Sequence, residues 1–308
     1  MGTADFAIAP LRALATAHDV VGVYSKAPSA SRRGGALHPS PVAEVAAELG
    51  VPVFTPATLR EASAVSQLRA LEPDVVVVAA YGLILTPEVL EIPRYTTVNV
   101  HGSLLPRWRG AAPIERAILA GEHETGACIM RVEEGLDTGP TCACAAVEIT
   151  SQTRDELVDQ LSSIGADLLL ASLDEIERGD VRWSAQNEAL ATYAHKVDKS
   201  EFTLHPTLMR HEASVRVRAA SAHAPARLAV AGISLGVLQL VDDEADARAA
   251  GSRPALGPGR AAAEPGGLRV GLSDGTLLVT ELQPAGKRAM GAAEWLRGAR
   301  LPEGVTWE

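Results

Sequence analysis

Residues 99–113 concentrate the side chains that acid–base and acyl-transfer chemistry require. Asn99 and His101 lie two positions apart at the end of a run that predicts a strand, so both side chains point to the same face. A carboxamide beside an imidazole can donate hydrogen bonds to an oxygen that becomes negative, as in the tetrahedral intermediate of acyl transfer. The competing interpretation of His101 is a fully hydrogen-bonded histidine that closes a strand.

A carboxylate that could join this pair lies in the turn-forming segment Leu136 to Pro140. Asp137 is its acidic residue, and the segment separates two strand-like runs, so that it could face His101. A carboxylate near an imidazole holds its tautomer and favours its protonated form, which general acid–base catalysis needs. Asp-Thr-Gly alone is a common turn, so the hypothesis depends on all three residues together.

Other reaction classes lack their signatures in this sequence. It contains no G-x-S-x-G elbow, Walker loop or H-E-x-x-H pair. Ser103 follows the strand without forming a nucleophile elbow, so we expect no acyl-enzyme. Cys142 and Cys144 alternate as in a strand rather than a zinc knuckle, so we expect no metal.

The composition predicts a soluble, two-domain protein of the reducing cytoplasm. At 308 residues the chain exceeds one comfortable hydrophobic core. No apolar run approaches the roughly 18 residues of a membrane span, the start lacks the features of a secretory signal, and three cysteines cannot form a closed disulfide framework. A net charge of -10 argues against a broad nucleic-acid surface, so any RNA contact must be a local patch.

Residues 1–183 alternate strand-like runs with helical patterns, which predicts a doubly wound, Rossmann-like α/β domain with a parallel sheet. Residues 184–202 are polar and predict a linker. The predicted strands are Asp19 to Tyr24, Asp74 to Ala79 and Thr96 to His101, and the predicted helices between them are Phe6 to Ala17, Pro41 to Leu49 and Ser63 to Leu71.

The amino end of this domain is unusual. Gly2-Thr3 is the kind of tight turn that follows the first strand of such a sheet, yet only Met1 precedes it. We expect the first strand to be missing, because Met1 is an internal methionine of the native protein. The alternative is that the protein does without that strand.

Residues 203–308 have a different pattern. One helix, Pro206 to Ala220, precedes alternating segments, and Asp274-Gly275 between two of them is a strong hairpin signal. This part is predicted to be mostly antiparallel β, as a small β-barrel. Asp243 to Gly267 lacks periodicity and predicts a long loop.

Two motifs resemble the folate-dependent formyltransferase family. The first, N-V-H-G-S-L-L-P-R-W-R-G-A-A-P-I, begins at Asn99, and the second, E-x-G-x-D-T-G-P, ends at Pro140. The extension R-W-R-G-A-A-P-I is similar to the methionyl-tRNA branch of the family. Further similar segments cover most of the chain: Gly2 to Ala7, His38 to Val42, Ala80 to Leu85 and Gln283 to Leu296.

The resemblance implies a catalytic set of Asn99, His101 and Asp137, with 10-formyltetrahydrofolate as the formyl donor and neither a metal nor a covalent enzyme intermediate. The loop Tyr81 to Leu85 would lie beside the folate ring. The implied folate-site residues are Ser103, Leu104, Leu105 and Pro106.

The resemblance also implies initiator methionyl-tRNA as the acceptor, gripped by the segment Ser25 to His38. Arg33 matches the family's tRNA-binding arginine, although Gly35 and Ala36 stand where the family often has lysines. The residues alone would predict a solvated loop. In the family the second domain is an OB-like barrel. Lys287 and Arg288 would face tRNA there or form a solvated edge. We expect a monomer with no membrane partner.

The nearest alternative is a formyltransferase that uses the same donor on a small amine, such as a nucleotide-linked sugar or glycinamide ribonucleotide. The segment Ser25 to His38 and the second domain argue against it, because a small acceptor needs neither. A formyl-folate hydrolase is a further alternative. From another class, the chain could be a non-catalytic folate or RNA binder, but binding alone does not require Asn99, His101 and Asp137.

Overall fold

The computed structural model describes residues 1–30, 37–242, 256–299, 301–302 and 304–308, which fall into two compact units. The first unit comprises Met1–Ile114, His123–Ile149 and Glu156–Lys196, and the second comprises Glu115–Glu122, Thr150–Asp155 and Val197–Glu308. Within the described ranges, no helix is both long and apolar enough to cross a membrane.

The first unit contains mostly short strands and helices that alternate along the chain. The helices are α1 Ile8–Ala17, α2 Pro41–Glu48, α3 Ala62–Arg69, α4 Pro87–Leu90, α5 Pro113–Leu119 and α6 Arg154–Arg178, of which α5 and α6 each have an end in the second unit. The strands are β1 Val23–Tyr24, β2 Ser29–Ala30, β3 Leu37–His38, β4 Val53–Phe54, β5 Val75–Val78, β6 Thr96–His101, β7 Arg109–Gly110, β8 Glu124–Arg131, β9 Thr141–Glu148 and β10 Tyr193–Ala194.

The main sheet of the first unit has the order β5-β6-β8-β9, and β1 pairs with β4 separately. The strands β5 and β6 are parallel, whereas β8 is antiparallel to both β6 and β9. The prediction of a parallel sheet is therefore wrong for β8, which runs opposite to both of its neighbours. The connection from β8 to β9, residues 132–140, is too short for the crossover of a dozen or more residues that parallel strands need, which explains the antiparallel pairing of β8 with β9.

Local sequence explains the positions of the helices. Proline at the first helical position of α2 suits its start, and the Ser40 side chain caps the helix by accepting a hydrogen bond from the Ala43 amide. One face of α6 is buried, with Leu157 and Leu161 fully enclosed. Gly165 lets this helix approach the sheet, because a Cβ there would lie 2.6 Å from Val100 Cγ1.

Met1 and Gly2 lie between β1 and β5. The Met1 amino group donates to the Val77 carbonyl at 2.7 Å, and the Gly2 amide donates to the Tyr24 carbonyl at 2.9 Å. Gly2 also forms an isolated parallel bridge with Ala79. These two residues alone connect the β1–β4 pair to the main sheet through backbone pairing in the described chain.

The second unit is an antiparallel sheet of order β11-β12-β15-β14-β13, with β16 paired to β15. The strands are β11 Ala226–Val230, β12 Ile233–Asp242, β13 Ala261–Glu264, β14 Gly267–Leu272, β15 Gly275–Pro284 and β16 Met290–Gly291, and the helices are α7 Arg210–Ala219 and α8 Ala292–Ala299. The predicted hairpin is present, with Leu272 paired to Gly275 across the turn.

The described strands of the second unit do not form a closed barrel by their own pairing. The carboxyl-terminal segment hydrogen-bonds near both ends of the strand order: the Glu308 amide donates to the Ala229 carbonyl at 2.8 Å, and the Ala261 amide donates to the Val305 carbonyl at 2.8 Å.

The prediction of one long loop from Asp243 to Gly267 is wrong for its described part, because β13 pairs with β14. The Ala-rich sequence of β13 has little strand propensity, so this strand depends on its pairing partner.

The cysteines lie on two neighbouring strands, as the alternation predicted for Cys142 and Cys144. Cys128 of β8 and Cys144 of β9 form a disulfide, and Cys142 is free, with its thiol pKa raised by burial.

Candidate functional site

The strand β6 holds Asn99 and His101 on one face of the sheet. Hydrogen-bonded neighbours flank β6 on both sides, with Asn99 opposite Val78 and His101 opposite Cys128. The alternate residue Val100 faces α6, so Asn99 and His101 point away from that helix. Asn99 is half-buried and His101 is buried. A strand paired on both sides fixes their relative positions.

Both ring nitrogens of His101 face oxygen atoms. Nε2 lies 3.0 Å from the Trp108 carbonyl oxygen, and Nδ1 lies 3.8 Å from Asp137 Oδ2. A carbonyl oxygen can only accept, so Nε2 is the donor in the shorter contact. The longer contact exceeds hydrogen-bond length but suits an ion pair when the imidazole is protonated.

Asp137 lies in the connection between β8 and β9 and has a left-handed backbone, with φ of 52°. Its Oδ2 accepts a hydrogen bond from the Gly110 amide at 2.8 Å, and its side chain is 17% exposed. This bond anchors the carboxylate that faces His101. A non-glycine residue in this conformation is uncommon and such strain concentrates at functional sites.

A buried hydrogen bond stabilises the turn after β6. Ser103 is fully buried, and its hydroxyl donates to the Arg107 carbonyl at 2.7 Å. Leu104, Leu105 and Pro106 are half-buried, and the Leu105–Pro106 peptide bond is cis. Of the four predicted folate-site residues, Ser103 therefore uses its side chain to stabilise the turn.

Arg109 is a buried cation that links this turn to residues 186–188. Its side chain is 0% exposed, and Nη2 donates to Gln186 Oε1 at 2.9 Å and to Glu188 Oε1 at 2.7 Å. The hydrogen bonds with Glu188 raise the pKa of Arg109, and those from Arg109 lower the pKa of Glu188. The Gln186 amide nitrogen in turn donates to the carbonyls of Asp137 and Gly139.

Residues 184–196 pack against the site, although the sequence predicted that they belong to a linker. The strand β10 pairs in parallel with β7, and the Thr192 hydroxyl accepts a hydrogen bond from the Trp108 amide at 2.8 Å. Gly110 is required by this approach, because its φ is 121° and a Cβ would lie 2.9 Å from the Ala194 carbonyl oxygen. Sequence reasoning missed Gln186 and Thr192, and no motif marks either residue.

The remaining predicted residues lie elsewhere. Arg33 and Arg32 fall outside the described residues, although the flanking strands β2 and β3 pair in an antiparallel hairpin. In the loop Tyr81 to Leu85, Tyr81 is buried, and burial raises its pKa to about 12. Ile84 is exposed.

The arrangement can stabilise a developing negative oxygen, and it places a carboxylate beside the imidazole. Asn99 and His101 supply donors from one rigid strand, and Asp137 supplies the counter-charge at 3.8 Å. Within the part of the chain that is described, no group of three or more His, Cys, Asp and Glu side chains is placed to hold a metal ion.

Comparison with family models identifies two matches. The description "Formyl transferase" matches residues 2–173, and "Formyl transferase, C-terminal domain" matches residues 211–300. Together these matches include every described residue of β6 and of the connection from β8 to β9.

Individual relatives are similar to this chain over nearly its whole length. The chain is 42% identical to "Methionyl-tRNA formyltransferase" of Methylobacterium nodulans, over 99% of this chain and 97% of the relative. It is 44% identical to the protein of the same name from Xanthomonas campestris pv. campestris, over 97% and 96% respectively. In fold it is similar to HypX from Aquifex aeolicus in complex with tetrahydrofolic acid, with a TM-score of 0.63 at 16% identity, over 81% of this chain and 43% of that one.

Proposed function

The chain belongs to the methionyl-tRNA formyltransferase family, and on that premise we propose that it transfers the formyl group of 10-formyltetrahydrofolate to the amino group of methionine on initiator tRNA. The product, formylmethionyl-tRNA, would serve translation initiation. The observation that supports this function best is the position of Asp137. Its Oδ2 lies 3.8 Å from Nδ1 of His101, and the strand that carries His101 also presents Asn99.

The proposed reaction is a direct acyl transfer. The methionyl amine attacks the formyl carbon, a carbon–nitrogen bond forms, and the carbonyl electrons move to the formyl oxygen. Asn99 and His101 donate hydrogen bonds to that oxygen, while the Asp137 carboxylate stabilises the positive imidazole. The bond between the formyl carbon and the folate nitrogen then breaks, and the proton lost by the amine balances the one gained by that nitrogen. Asp137 assists this proton transfer through water.

One contact must change during this reaction. His101 Nε2 is bonded to the Trp108 carbonyl, so it donates to a formyl oxygen only after that bond is exchanged. Trp108 has a left-handed backbone with φ of 60°, and an accepting substrate oxygen could replace its carbonyl as the partner of Nε2. We therefore assign the segment from Ser103 to Gly110 a double role, as folate wall and as the substrate-dependent partner of His101.

The proposed folate site lies beside the turn after β6. Leu104, Leu105 and Pro106 supply half-buried apolar surface and backbone groups, which suit a flat heterocycle. Ser103 contributes through the shape of the turn rather than through a direct hydroxyl contact, since its hydroxyl already donates to Arg107. The loop Tyr81 to Leu85 completes the wall.

The proposed tRNA contacts are local, as the net charge of -10 requires. Arg33 would bind the acceptor end between the paired strands β2 and β3. The second unit would form an OB-like barrel, which the carboxyl-terminal segment closes by hydrogen bonds to Ala229 and from Ala261. We place a monomeric enzyme in the cytoplasm, where a reducing environment would leave Cys128 and Cys144 as thiols.

The function is tested by an acceptor competition. Purified protein is mixed with 10-formyltetrahydrofolate and either methionyl-tRNA or a small amine, such as a nucleotide-linked amino sugar, and formylated products are quantified. We expect formylation of methionyl-tRNA and little or none of the small amines. Preferential formylation of a small amine would support the alternative substrate class, and release of formate without any acceptor product would support a hydrolase.

A further inference from the structure

A disulfide lies on the same face of the main sheet as the candidate functional site. Cys128 of β8 is paired directly with Cys144 of β9, and their sulfur atoms are bonded. A Cβ at Gly165 of α6 would lie 3.8 Å from Ala127 Cβ, so Ala127 faces that helix. Because side chains alternate along a strand, Cys128 and its partner Cys144 face away from α6, as His101 does.

The disulfide is close to two parts of the site. His101 lies directly opposite Cys128 in the ladder between β6 and β8, which places their Cβ atoms about 5 Å apart. Leu104 of the proposed folate wall packs on the same face, because a Cβ at Gly126, two residues before Cys128, would lie 2.5 Å from Leu104 Cδ2. A change at the disulfide therefore acts next to groups that the proposed reaction uses.

The disulfide also closes the hairpin that carries Asp137. The two cysteines are 16 residues apart in the sequence, and the whole connection from β8 to β9 lies between them. A covalent bond across such a loop restricts its open conformations. Next to the connection, the Arg131 amide donates to the Pro140 carbonyl at 2.9 Å, and the Gly110 amide donates to Asp137 Oδ2. Hydrogen exchange at these two amides therefore reports opening of the segment that holds Asp137.

The two bonded cysteines differ in their access to solvent. Cys128 is fully buried, whereas Cys144 is exposed on β9, the last strand in the order of the main sheet. A small thiol in solution can therefore attack the sulfur of Cys144, with the buried sulfur of Cys128 as the leaving group. Attack on Cys128 would require the thiol to enter the sheet.

The third cysteine is not placed to exchange with this pair. A register shift makes Cys142 an extra residue of β9, between the partners of Ile129 and Met130. Its sulfur lies 3.5 Å from Ser172 Oγ of α6, so it faces the helix rather than the disulfide. Burial also raises the pKa of the Cys142 thiol, which disfavours the thiolate that exchange requires. Cys142 therefore provides an internal control.

We propose that Cys128 and Cys144 are a reversible redox pair, which exchanges with small thiols and disulfides through Cys144. When oxidised, the pair restrains the hairpin that carries Asp137. Its link to catalysis rests on the proposed function. Reduction loosens the hairpin, so Asp137 faces His101 for less of the time and formyl transfer slows.

The chemistry needs a small disulfide of the glutathione class as oxidant. The Cys144 thiolate attacks one sulfur of that disulfide, which gives a mixed disulfide on Cys144 and releases one small thiolate. The Cys128 thiolate then attacks the Cys144 sulfur and releases the second small thiolate. Two protein thiols are thus oxidised, one small disulfide is reduced, and the protons of the protein thiols pass to the two small thiols. Reduction follows the same steps in reverse.

The test equilibrates the purified chain in buffers with different ratios of reduced to oxidised glutathione. Alkylation of free thiols followed by mass spectrometry gives the fraction of the disulfide at each ratio. We expect this fraction to change reversibly with the ratio. Amide hydrogen exchange at Arg131 and Gly110 should be at least fivefold faster in the reduced chain. Amides of β15 in the second unit should exchange equally in both states.

Matched variants identify the cysteine that reacts first. Cys128→Ala should accumulate a glutathione adduct on Cys144, whereas Cys144→Ala should accumulate none on Cys128. Cys142→Ser should keep the full redox dependence of the original chain. Because Cys128→Ala removes a buried side chain and could disturb folding, the exchange measurements compare the two redox states of the original chain and need no variant.

A pair that stays oxidised, or stays reduced, at every glutathione ratio would overturn the reversible exchange. An adduct on Cys128 in Cys144→Ala would contradict entry through Cys144, and equal exchange at Arg131 and Gly110 in both states would contradict the restraint. We expect kcat to fall about twofold or more on reduction, both in the original chain and in Cys142→Ser. Equal kcat in the two states would refute the link to the site.

The proposed function and the redox pair can fail separately. Absence of formyl transfer in both redox states would count against the proposed function. Alkylation and hydrogen exchange would still show whether the pair is reversible and restrains the hairpin, because neither measurement depends on activity.

Discussion

Gln186 donates hydrogen bonds to the backbone carbonyls of Asp137, at 2.8 Å, and of Gly139, at 2.7 Å. The same side chain accepts two hydrogen bonds from the buried guanidinium of Arg109. Gln186 therefore joins the turn after β6 to the connection that carries Asp137. The distance between Asp137 and His101 depends on both segments, so this glutamine bears directly on the candidate catalytic geometry.

Replacing Gln186 should lower turnover without preventing substrate binding. For Gln186→Ala we expect kcat to fall about tenfold or more, because a small displacement of a positioned group can cost a large factor in rate. KM for both substrates should change little. Asn187→Ala is the matched control, because Asn187 is the next residue along the chain and its side chain caps a short 3-10 helix by accepting a hydrogen bond from the Ala189 amide. Steady-state kinetics of the two variants provide the measurement, and equal kcat values would exclude the positioning role.

Removing either proposed catalytic group should be more damaging. We expect His101→Ala and Asp137→Asn each to lower turnover roughly a hundredfold or more while folate still binds. Asp137→Asn is the sharper variant, because its amide oxygen can still accept from the Gly110 amide and only the charge is lost. Single-turnover kinetics and folate titration separate rate from binding. Near-normal turnover by either variant would rule out the corresponding role.

Arg33→Ala should weaken the use of charged tRNA and leave folate affinity intact. The removed charge would otherwise contact phosphate, so the effect should shrink as salt is raised. Arg60→Ala, at an exposed arginine outside the segment Ser25 to His38, is the control for a general loss of positive charge. Formylation rates at varied tRNA concentration measure the effect. Unchanged tRNA kinetics for Arg33→Ala would refute the loop hypothesis.

Acidification from pH 8 to pH 5 should destabilise the chain through its amino terminus. Burial lowers the pKa of the Met1 amino group from 8.0 to about 5, so the unfolded chain takes up this proton at higher pH than the folded chain. The stabilisation is complete above pH 8 and is lost as pH falls towards 5, by at most about 1.4 kcal/mol per pH unit. Below pH 5 this group adds no further loss.

Urea unfolding between pH 8 and pH 5 measures this dependence. An Nα-acetylated chain is the control, because it has no titrating amine and should lose less stability over the same range. Equal losses in the two chains would assign the pH dependence to other groups.

The comparison of Asn99 with Gln186 separates what could be predicted from what could not. Strand periodicity placed Asn99 and His101 on one face, because alternation is a local property of the backbone. The turn around Asp137 was also recognisable locally, although its approach to His101 was only a possibility. Gln186 and Thr192 were predicted to lie in a linker. Their hydrogen-bond partners lie about 50 or more positions away in the sequence, so no local pattern indicates these contacts.

The direction of β8 and β9 shows the same limit. Their apolar alternation predicted strands, but the composition of a strand does not determine which strand it pairs with or in which direction. The short connection of residues 132–140 favoured an antiparallel pair, and this information was available in the sequence. Treating each strand as part of a repeating parallel unit therefore gave the wrong direction for β8.

The sequence by itself determined the family and the element types around the site. Those features depend on motifs, periodicity and backbone preferences, which act over a few neighbouring residues. Only the tertiary structure decided that the Trp108 carbonyl accepts a hydrogen bond from His101 Nε2 and that Gln186 links Arg109 to the backbone of Asp137. Hydrogen bonds and packing between distant segments set those relationships, because they arise only when the chain has folded.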